Sequence, residues 1–302
     1  MPSLKDYRDR ISSVKSTRKI TSAMKMVAAS KLKRAQNKAE AAQPYADAMS
    51  KVMARVSAGV QTGTGGSPLL IGTGNDQTHL LLVVTSDRGL CGGFNGNLLR
   101  HTKIMIDELS ELGKTIKIVT VGRKGYEFLK RDHNDLIVKS FTGIGKTKAG
   151  VEFIEIAEIA DYILSLFDAG EFDVCSVLGN EFRSVLAQIP TASQLIPFTF
   201  REETIDKIEE NEDNAGTETP YNFEPDEGEI LDELLPKNIK VQIFRTLLDS
   251  AAGEQAARMT AMDSATRNAG DKIKDLTLQY NRARQAYITK ELIEIISGAE
   301  AV

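Results

Sequence analysis

A glycine-rich segment, Ser86-Asp-Arg-Gly-Leu-Cys-Gly-Gly93, is the part of the sequence best suited to binding a phosphate. It follows a predicted strand and precedes a predicted helix, so its backbone N–H groups could hold an anion at the helix N-terminus. It matches neither the dinucleotide-binding pattern nor a Walker motif, which requires a Lys-Ser/Thr pair after the last Gly. A tight strand-to-helix turn is the favoured interpretation, and a nucleotide-binding enzyme is kept as an alternative.

Other groups able to do chemistry do not form a constellation. Cys91 has Arg88 nearby, which favours a thiolate, but no His is close in sequence, so a nucleophilic role is not expected. The segment Gly143–Thr147 imitates the end of a Walker motif without its earlier Gly and is interpreted as a loop. The histidines are scattered, at His79, His101 and His133. We therefore expect no catalytic residue, no cofactor and no metal site.

Composition and length indicate a folded chain rich in helix. Of the 302 residues, 41% are hydrophobic and 26% charged, which suits a buried core, and the low aromatic content of 6% is typical of long helices. The longest aliphatic run, Leu80–Val84, is too short to cross a bilayer. The start of the chain has neither signal nor transit character, and Cys91 and Cys175 are too isolated for a disulfide framework. These features predict a soluble protein of a reducing compartment.

The net charge of −4 hides a strong segregation of charge along the chain. Residues 1–60 hold 13 Lys/Arg against 4 Asp/Glu, whereas residues 200–236 hold 2 against 14. The basic segment predicts a partner of opposite charge, either an acidic protein surface or a nucleic-acid backbone. A coiled-coil nucleic-acid-binding protein is therefore a second alternative. Its phosphate contacts would come from Lys15, Arg18, Lys19, Lys25, Lys31, Lys33 and Arg34.

Residues 1–60 predict one long helix with a coiled-coil seam, because apolar side chains recur at alternating spacings of four and three. An earlier set, Leu4, Tyr7, Ile11 and Val14, has the same spacing but a different phase from the main seam. The sequence therefore predicts that the seam is interrupted between Val14 and Ile20. The many alanines predict a closely approaching partner helix. The main seam consists of Ala28, Leu32, Ala35, Ala39, Ala42, Ala46, Met49, Met53, Val56 and Val60.

Residues 237–302 predict a second long helix with the same spacing, ending near Gly298. Each helix would be about 85–90 Å long, too long to fold back on a small core. The two chain ends are therefore expected to pair as an antiparallel coiled coil. The second seam consists of Ala252, Gln255, Met259, Met262, Thr266, Ala269, Ile273, Leu276, Tyr280, Ala283 and Tyr287.

Between the helices, short strand patterns alternate with helical patterns. A linker rich in Gly, Thr and Ser is predicted at 61–75. The alternation indicates a mainly parallel sheet, so the fold class is an α/β domain inserted in a two-helix coiled coil, with boundaries at 1–60, 76–220 and 237–302. Strands are predicted at 79–85, 116–121 and 173–178, with a further candidate at 194–200, and helices at 95–112, 124–130 and 152–167.

Three sets of residues resemble the gamma subunits of F-type ATP synthases. The first is Arg10–Val14 with Lys19-Ile-Thr-Ser-Ala-Met-Lys-Met-Val-Ala-Ala-Ser-Lys-Leu32, and the second is the turn 86–93. The third comprises 254–262, 276–286 and the C-terminal block Ile288-Thr-Lys-Glu-Leu-Ile-Glu-Ile-Ile-Ser-Gly-Ala299. The resemblance implies the antiparallel coiled coil and a Rossmann-like α/β foot.

The resemblance also implies a function. The chain would be the non-catalytic central stalk, or rotor, of a proton-translocating ATP synthase, and would couple c-ring rotation to conformational change in the alpha/beta ring. Catalysis would lie in the beta subunit. The implied partners are the alpha and beta subunits, the epsilon subunit and the membrane c-ring. The implied location is peripheral, on the cytoplasmic face of a bacterial inner membrane.

By the same resemblance, individual residues are expected to contact partners. Met24 and Cys91 would lie near the lever loop of beta. Tyr221 and Glu224 would meet the c-ring and epsilon. Ile295 and Ile296 would lie at an apolar bearing at the top of the ring. A polar catch against beta would comprise Glu254, Arg258, Arg284, Gln285 and Thr289.

Two departures from the family pattern carry their own expectations. A regulatory insert with a close Cys pair is missing, so thiol control of rotation is not expected. The segment Gly59–Asn75 is longer and richer in Gly and Thr than the family requires, and no role is assigned to it.

Overall fold

The computed structural model describes residues 3–60, 67–147, 150–198 and 227–300. These residues form two compact units. The helical unit is Met1–Ser30 with Arg258–Val302, and the α/β unit is Lys31–Ala257. The two long helices, α1 (Leu4–Val60) and α6 (Glu227–Glu300), each contribute to both units, so the units do not follow the three predicted segments.

In the helical unit, the start of α1 and the end of α6 pair in antiparallel order. As residue numbers rise along α1, the numbers of their contact partners fall along α6. This confirms the predicted antiparallel coiled coil in this unit. The cross-helix contacts join Arg8 to Tyr280, Thr21 to Thr266 and Lys25 to Asp263.

The seam residues predicted in α6 are shielded from water up to the point where α1 begins. Ala269 and Leu276 are buried, and Ala283 is half-buried. Tyr287 is 54% exposed, so its predicted place in the seam is wrong. The register places Leu4 opposite Ala283, and α1 therefore has no residue left to cover Tyr287. The predicted helix end at Gly298 is also wrong, since α6 continues to Glu300.

The predicted break in the α1 seam is wrong as well. Thr21 is only 9% exposed, whereas Ile20 is 60% exposed. The four-three spacing in fact continues from Val14 to Ala28 through Arg18, Thr21 and Lys25. Two long cationic side chains at seam positions hide the pattern in the sequence, because their stems can lie along the seam while the charge stays in water.

The α/β unit is built on a five-stranded sheet in the order β3-β2-β1-β4-β5. Strands β1 to β4 pair in parallel, and β5 joins β4 in antiparallel order. The predicted mainly parallel sheet is confirmed. The strands are β1 (Thr78–Val84), β2 (Thr115–Val121), β3 (Ile137–Phe141), β4 (Val174–Phe182) and β5 (Gln188–Ile196).

Helices cover both faces of this sheet, which explains why Leu80–Val84 of β1 form an unbroken apolar run. Leu80 and Leu82 pack on the side of α5, with its buried Ile159, and Leu81 packs on the side of α3, with its buried Leu98. The shorter helices of the unit are α2 (Pro68–Ile71), α3 (Phe94–Glu111), α4 (Arg123–Leu129) and α5 (Phe153–Asp168), with a 3-10 turn at Asn134–Leu136.

Each predicted strand and helix of the middle region is present, with boundaries shifted by a few residues. Strand β4 is four residues longer than predicted at its C-terminal end, and β5 starts at Gln188 rather than at residue 194. Two elements were missed: β3, and α2 within the predicted linker. The remainder of that linker includes residues outside the described ones.

Within the α/β unit, α1 and α6 also pack together, but not uniformly closely. Met53 and Leu235 are fully buried in one cluster with Met49 and Phe198. Further along, Ala39 and Ala42 are half-buried beside a cavity of about 570 Å³. The close approach predicted from the alanines stays a prediction at these two positions, where the side chains pack against the core cluster and also line the cavity.

Asp173 ties the start of β1 to the start of β4. Its carboxylate accepts hydrogen bonds from the Thr78 and Gln77 backbone N–H groups at 2.9 and 3.0 Å and from the Thr73 hydroxyl at 2.8 Å. The Thr78 N–H above all holds the pKa of this carboxyl below its ordinary value of 3.8. The ionised form is thus bound more strongly in the folded chain than in the unfolded one.

We expect Asp173→Asn to destabilise the α/β unit by about 1–2 kcal/mol at neutral pH, because an amide nitrogen cannot accept these hydrogen bonds. The pKa is lowered on folding, so the stabilisation is complete above about pH 4 and is lost as the pH falls through the folded-state pKa. Urea unfolding at pH 7 and pH 3 measures this. Asp168→Asn, at an exposed helix end, is the control. A loss of equal size at both pH values would contradict the prediction.

Candidate functional site

The glycine-rich turn after β1 is held by its own side chains. The Ser86 N–H donates to Asn95 Oδ1 at 3.0 Å, and Asn95 Nδ2 donates to Ser86 Oγ at 2.8 Å and to Cys91 Sγ at 3.3 Å. Cys91 is 2% exposed, whereas Leu90 is 64% exposed and has a positive φ of 65°. The turn therefore presents Leu90 to solvent and keeps the thiol inside.

A phosphate would need backbone N–H groups at this edge of the sheet, and a carboxylate already uses two of them. Asp87 accepts hydrogen bonds from the Arg123 N–H at 3.0 Å and from the Gly143 N–H at 2.9 Å. Lys146 Nζ lies 3.4 Å from the same carboxylate. This geometry favours a structural turn over a nucleotide site. Among the described residues, no group of His, Cys, Asp and Glu is arranged to hold a metal.

The end of α6 forms a second candidate site, which we call the apolar tip. It comprises the part of α6 beyond residue 285, where the register provides no opposing residue of α1. Exposed apolar surface of this extent marks an interaction surface. The exposed apolar side chains are Tyr287, Ile288, Leu292, Ile293, Ile295 and Ile296, with exposures between 47% and 67%.

The predicted contact residues fall in several places. Ile295 and Ile296 belong to the apolar tip, and Thr289 lies exposed between the same turns of helix. Arg284 and Gln285 are exposed just before it. The structure thus brings together five of the predicted contacts on one helix end.

The remaining predicted contacts lie elsewhere. Met24 and Arg258 are half-buried in the helical unit, and Glu254 is half-buried in the α/β unit. Cys91 also belongs to the α/β unit. Tyr221 and Glu224 lie outside the described residues.

The early part of α1 carries exposed apolar residues that the sequence analysis missed. Ile20, Met26 and Val27 are 57–65% exposed. They lie among basic side chains such as Lys19, which is also exposed. The sequence could have indicated their exposure, because they are apolar residues that fall outside the four-three spacing of the seam. The surface of α1 in the helical unit is therefore both basic and partly apolar.

Comparison with known proteins agrees with this architecture. A match to the ATP synthase family covers residues 3–302. The ATP synthase gamma chains of Parvibaculum lavamentivorans and Paramagnetospirillum magneticum are 55% and 53% identical to this chain, over 100% of both chains in each pair. The chain belongs to the ATP synthase gamma-chain family. Its other gamma-chain relatives include that of Rhizobium etli, also 53% identical over both full lengths.

Chains in solved structures of mitochondrial ATP synthases share the fold. A chain of the central stalk and c-ring of Tetrahymena thermophila mitochondrial ATP synthase is 25% identical, with a TM-score of 0.59 over 82% of this chain and 99% of that one. A chain from the Euglena gracilis mitochondrial ATP synthase is 18% identical, with a TM-score of 0.65 over 99% and 94%. The predicted fold class, an α/β domain inserted in an antiparallel coiled coil of the two terminal helices, is confirmed. No helix within the described parts of this gamma-chain family member has an apolar stretch able to span a bilayer.

Proposed function

We propose that this chain is the central stalk subunit of an F-type proton-translocating ATP synthase and couples rotation of a c-ring to conformational change at catalytic sites of an alpha/beta ring. The observation that carries the proposal is the identity of 53–55% to ATP synthase gamma chains over the whole length. The antiparallel helix pair with its apolar tip gives that function a physical basis. The partners are the alpha and beta subunits, the epsilon subunit and the c-ring.

A two-helix shaft can distinguish three sites only if its surface is asymmetric. In the helical unit, residues 3–30 carry seven Lys/Arg against two Asp/Glu, whereas residues 258–302 carry seven against six. One side of the pair is therefore strongly basic and the other nearly neutral. Within a threefold ring, this shaft presents a different face to each site. Each angular position then favours a different conformation of each site.

The apolar tip suits a bearing. Its isoleucines and leucines are exposed in the free chain, so burying them in an apolar sleeve is favourable by about 25 cal/mol per Å². Apolar contacts are not directional, and they therefore hold the axis without fixing an angle. Ile295 and Ile296 would lie in this bearing, and Arg284, Gln285 and Thr289 would form polar contacts just below it.

The other predicted contacts complete the proposal. Met24 would lie beside the lever loop of beta, and Glu254 and Arg258 would belong to the polar catch. The glycine-rich turn would reach a partner through Leu90, because the thiol of Cys91 is buried. Tyr221 and Glu224 would meet the c-ring and epsilon.

The chain would perform no reaction itself, since catalysis would lie in beta. Its location would be peripheral, on the cytoplasmic face of a bacterial inner membrane. The bacterial gamma chains among its relatives support that location.

Co-purification tests the proposal. The tagged full chain, expressed with the alpha, beta and epsilon genes of its source, should bring down alpha and beta in a 3:3:1 complex that hydrolyses ATP. The double variant Ile295→Asp with Ile296→Asp, at the apolar tip, should reduce recovery of the complex several-fold. Moving charged side chains from water into an apolar sleeve costs free energy. Gln279→Asp, at an exposed polar position of α6 before the tip, is the control. Purification of the chain without alpha and beta would contradict the proposal.

We expect Met24→Lys to impair coupling in the assembled enzyme. Met24 is half-buried on the basic side of the helical unit. A new cation facing an acidic lever of beta would add an attraction that depends on the angle of the shaft. Proton pumping and ATP hydrolysis, measured on the same vesicles, should give fewer protons pumped per ATP. Met24→Leu removes the thioether without adding charge and should keep the parent ratio. An unchanged ratio in Met24→Lys would count against the assigned contact.

A further inference from the structure

A hydrogen-bonded pair of threonines crosses the seam of the helical unit. Thr21 is 9% exposed, and Thr266 lies opposite it. The Thr266 hydroxyl oxygen is 2.7 Å from Thr21 Oγ1 and also 2.7 Å from the Met262 carbonyl oxygen of its own helix, and Thr21 Oγ1 donates to the Arg18 carbonyl at 3.1 Å. Each hydroxyl therefore has an acceptor within its own helix, and the bond between the two hydroxyls is the one that requires these residues to face each other.

A charged group lies beside the threonine pair, one helical turn away. Lys25 Nζ is 2.6 Å from Asp263 Oδ1, and Arg267 Nη2 is 3.0 Å from Asp263 Oδ2. Lys25 in particular holds the pKa of the Asp263 carboxyl below its ordinary value. One end of the polar region is thus a hydroxyl pair in which Thr21 is buried and Thr266 half-buried, and the other is an exposed ion pair that spans both helices. Sliding one helix past the other would break both.

The rest of this seam does little to select a register. Ala28 and Ala269 are small, and Met262 is unbranched and adapts to different neighbours. A slide by one heptad would bring alanine and methionine against similar residues. It would also place Thr21 opposite Met259 or Ile273, neither of which can accept or donate a hydrogen bond. A buried polar pair is a known means of fixing register in a coiled coil at such a position.

We propose that Thr21 and Thr266 are positioning residues that fix the axial register of α1 against α6 in the helical unit. The consequence for coupling rests on the function proposed above, because a shaft transmits an angle faithfully only if its two helices do not slide under load. The register itself is a property of the isolated chain and does not depend on any partner.

Spin labels on the full chain test the register. Lys15→Cys and Lys272→Cys place labels at exposed positions that face each other in the observed register, and a chain without them gives the background. A slide of one heptad moves the labels apart along the axis by about 10 Å. The parent should give one distance. Thr21→Val with Thr266→Val, which keeps shape and apolar packing, should add a second distance with this displacement.

Matched variants make the result specific. Thr21→Ser, made in the parent chain, keeps a hydroxyl at this position. It should therefore give the single distance between labels that the parent gives, unlike the double valine variant. Thr17→Val and Thr277→Val remove exposed hydroxyls that also bond within their own helix, and should leave the distance unchanged. One unchanged distance in the double valine variant would overturn the proposal. A second distance with normal proton pumping per ATP would confirm the register role and refute its link to coupling. A second distance with reduced pumping per ATP supports both.

Discussion

Replacing Gly122 with alanine should cost the α/β unit at least about 3 kcal/mol, a large share of the stability of an ordinary domain. Gly122 follows β2 with a φ of +94°, a conformation that L-residues rarely adopt. A Cβ built there would lie 2.1 Å from the Thr85 carbonyl oxygen, which is rigid backbone. The Gly122 N–H also donates to the Phe141 carbonyl at 2.8 Å, so the segment cannot move away without losing a bond between β2 and β3. Urea unfolding and the yield of soluble chain measure the loss.

Gly113→Ala separates the steric clash from backbone strain. Gly113 has a φ of +70°, yet a Cβ there would meet nothing within 4 Å. We therefore expect a loss of only about 1 kcal/mol, the cost of holding an L-residue in this conformation. Equal losses for the two variants would show that the contact with Thr85 relaxes and would contradict the prediction for Gly122.

Ala28→Trp should separate the two helices of the helical unit. Ala28 is 1% exposed, in a seam position opposite Met259. Overpacking usually costs about 1–3 kcal/mol, and an indole is far larger than the methylenes on which that range rests. We expect loss of hydrogen-exchange protection along residues 4–30 and 258–285, with the α/β unit unaffected.

The same substitution at Ala39 should be tolerated. Ala39 belongs to the same predicted seam on the same helix, but it is half-buried beside the cavity of about 570 Å³. An indole can occupy that space and cover the nearby Phe244, which is apolar and half-buried. Hydrogen exchange and urea unfolding of Ala39→Trp should match or slightly exceed the parent. Loss of protection in both variants would indicate that the cavity closes in solution.

The long helices could be predicted because their seams repeat over many turns. A heptad pattern is easier to recognise the more often it repeats, and a single polar residue such as Gln255 does not obscure it. The pattern failed where two seam positions in one stretch hold Arg18 and Lys25. Charged residues are expected at the surface, and it is the cross-helix contacts of Thr21 and Lys25 that show that the spacing is continuous.

The missed strand β3 illustrates a different limit. Ile137–Phe141 lies at the edge of the sheet, so only one side pairs with another strand and most of its residues are at least partly exposed. It is only five residues long and Lys139 and Ser140 interrupt its apolar residues, so the sequence does not distinguish it from a loop. Interior strands are buried on both faces, and in β1 the five consecutive residues Leu80–Val84 are apolar.

The candidate sites were predictable to different degrees. The apolar tip follows from the isoleucine-rich C-terminal block once the register shows where α1 begins. The structural character of the glycine-rich turn does not follow from its own residues alone. It depends on the backbone N–H groups of Arg123 and Gly143, which lie far along the chain and bind the carboxylate of Asp87 in the turn. Such contacts depend on the three-dimensional arrangement of three strand ends.

The burial of both cysteines makes chemical modification a measure of unfolding. Cys175 is fully buried, and burial raises the pKa of its thiol well above the ordinary value, while Cys91 is enclosed within its turn. Alkylating reagents attack the thiolate, so neither residue can react until the surrounding structure opens. The rate at which iodoacetamide consumes the two thiols would then report how often the α/β unit opens, and a saturating rate at high reagent concentration would give the opening rate itself.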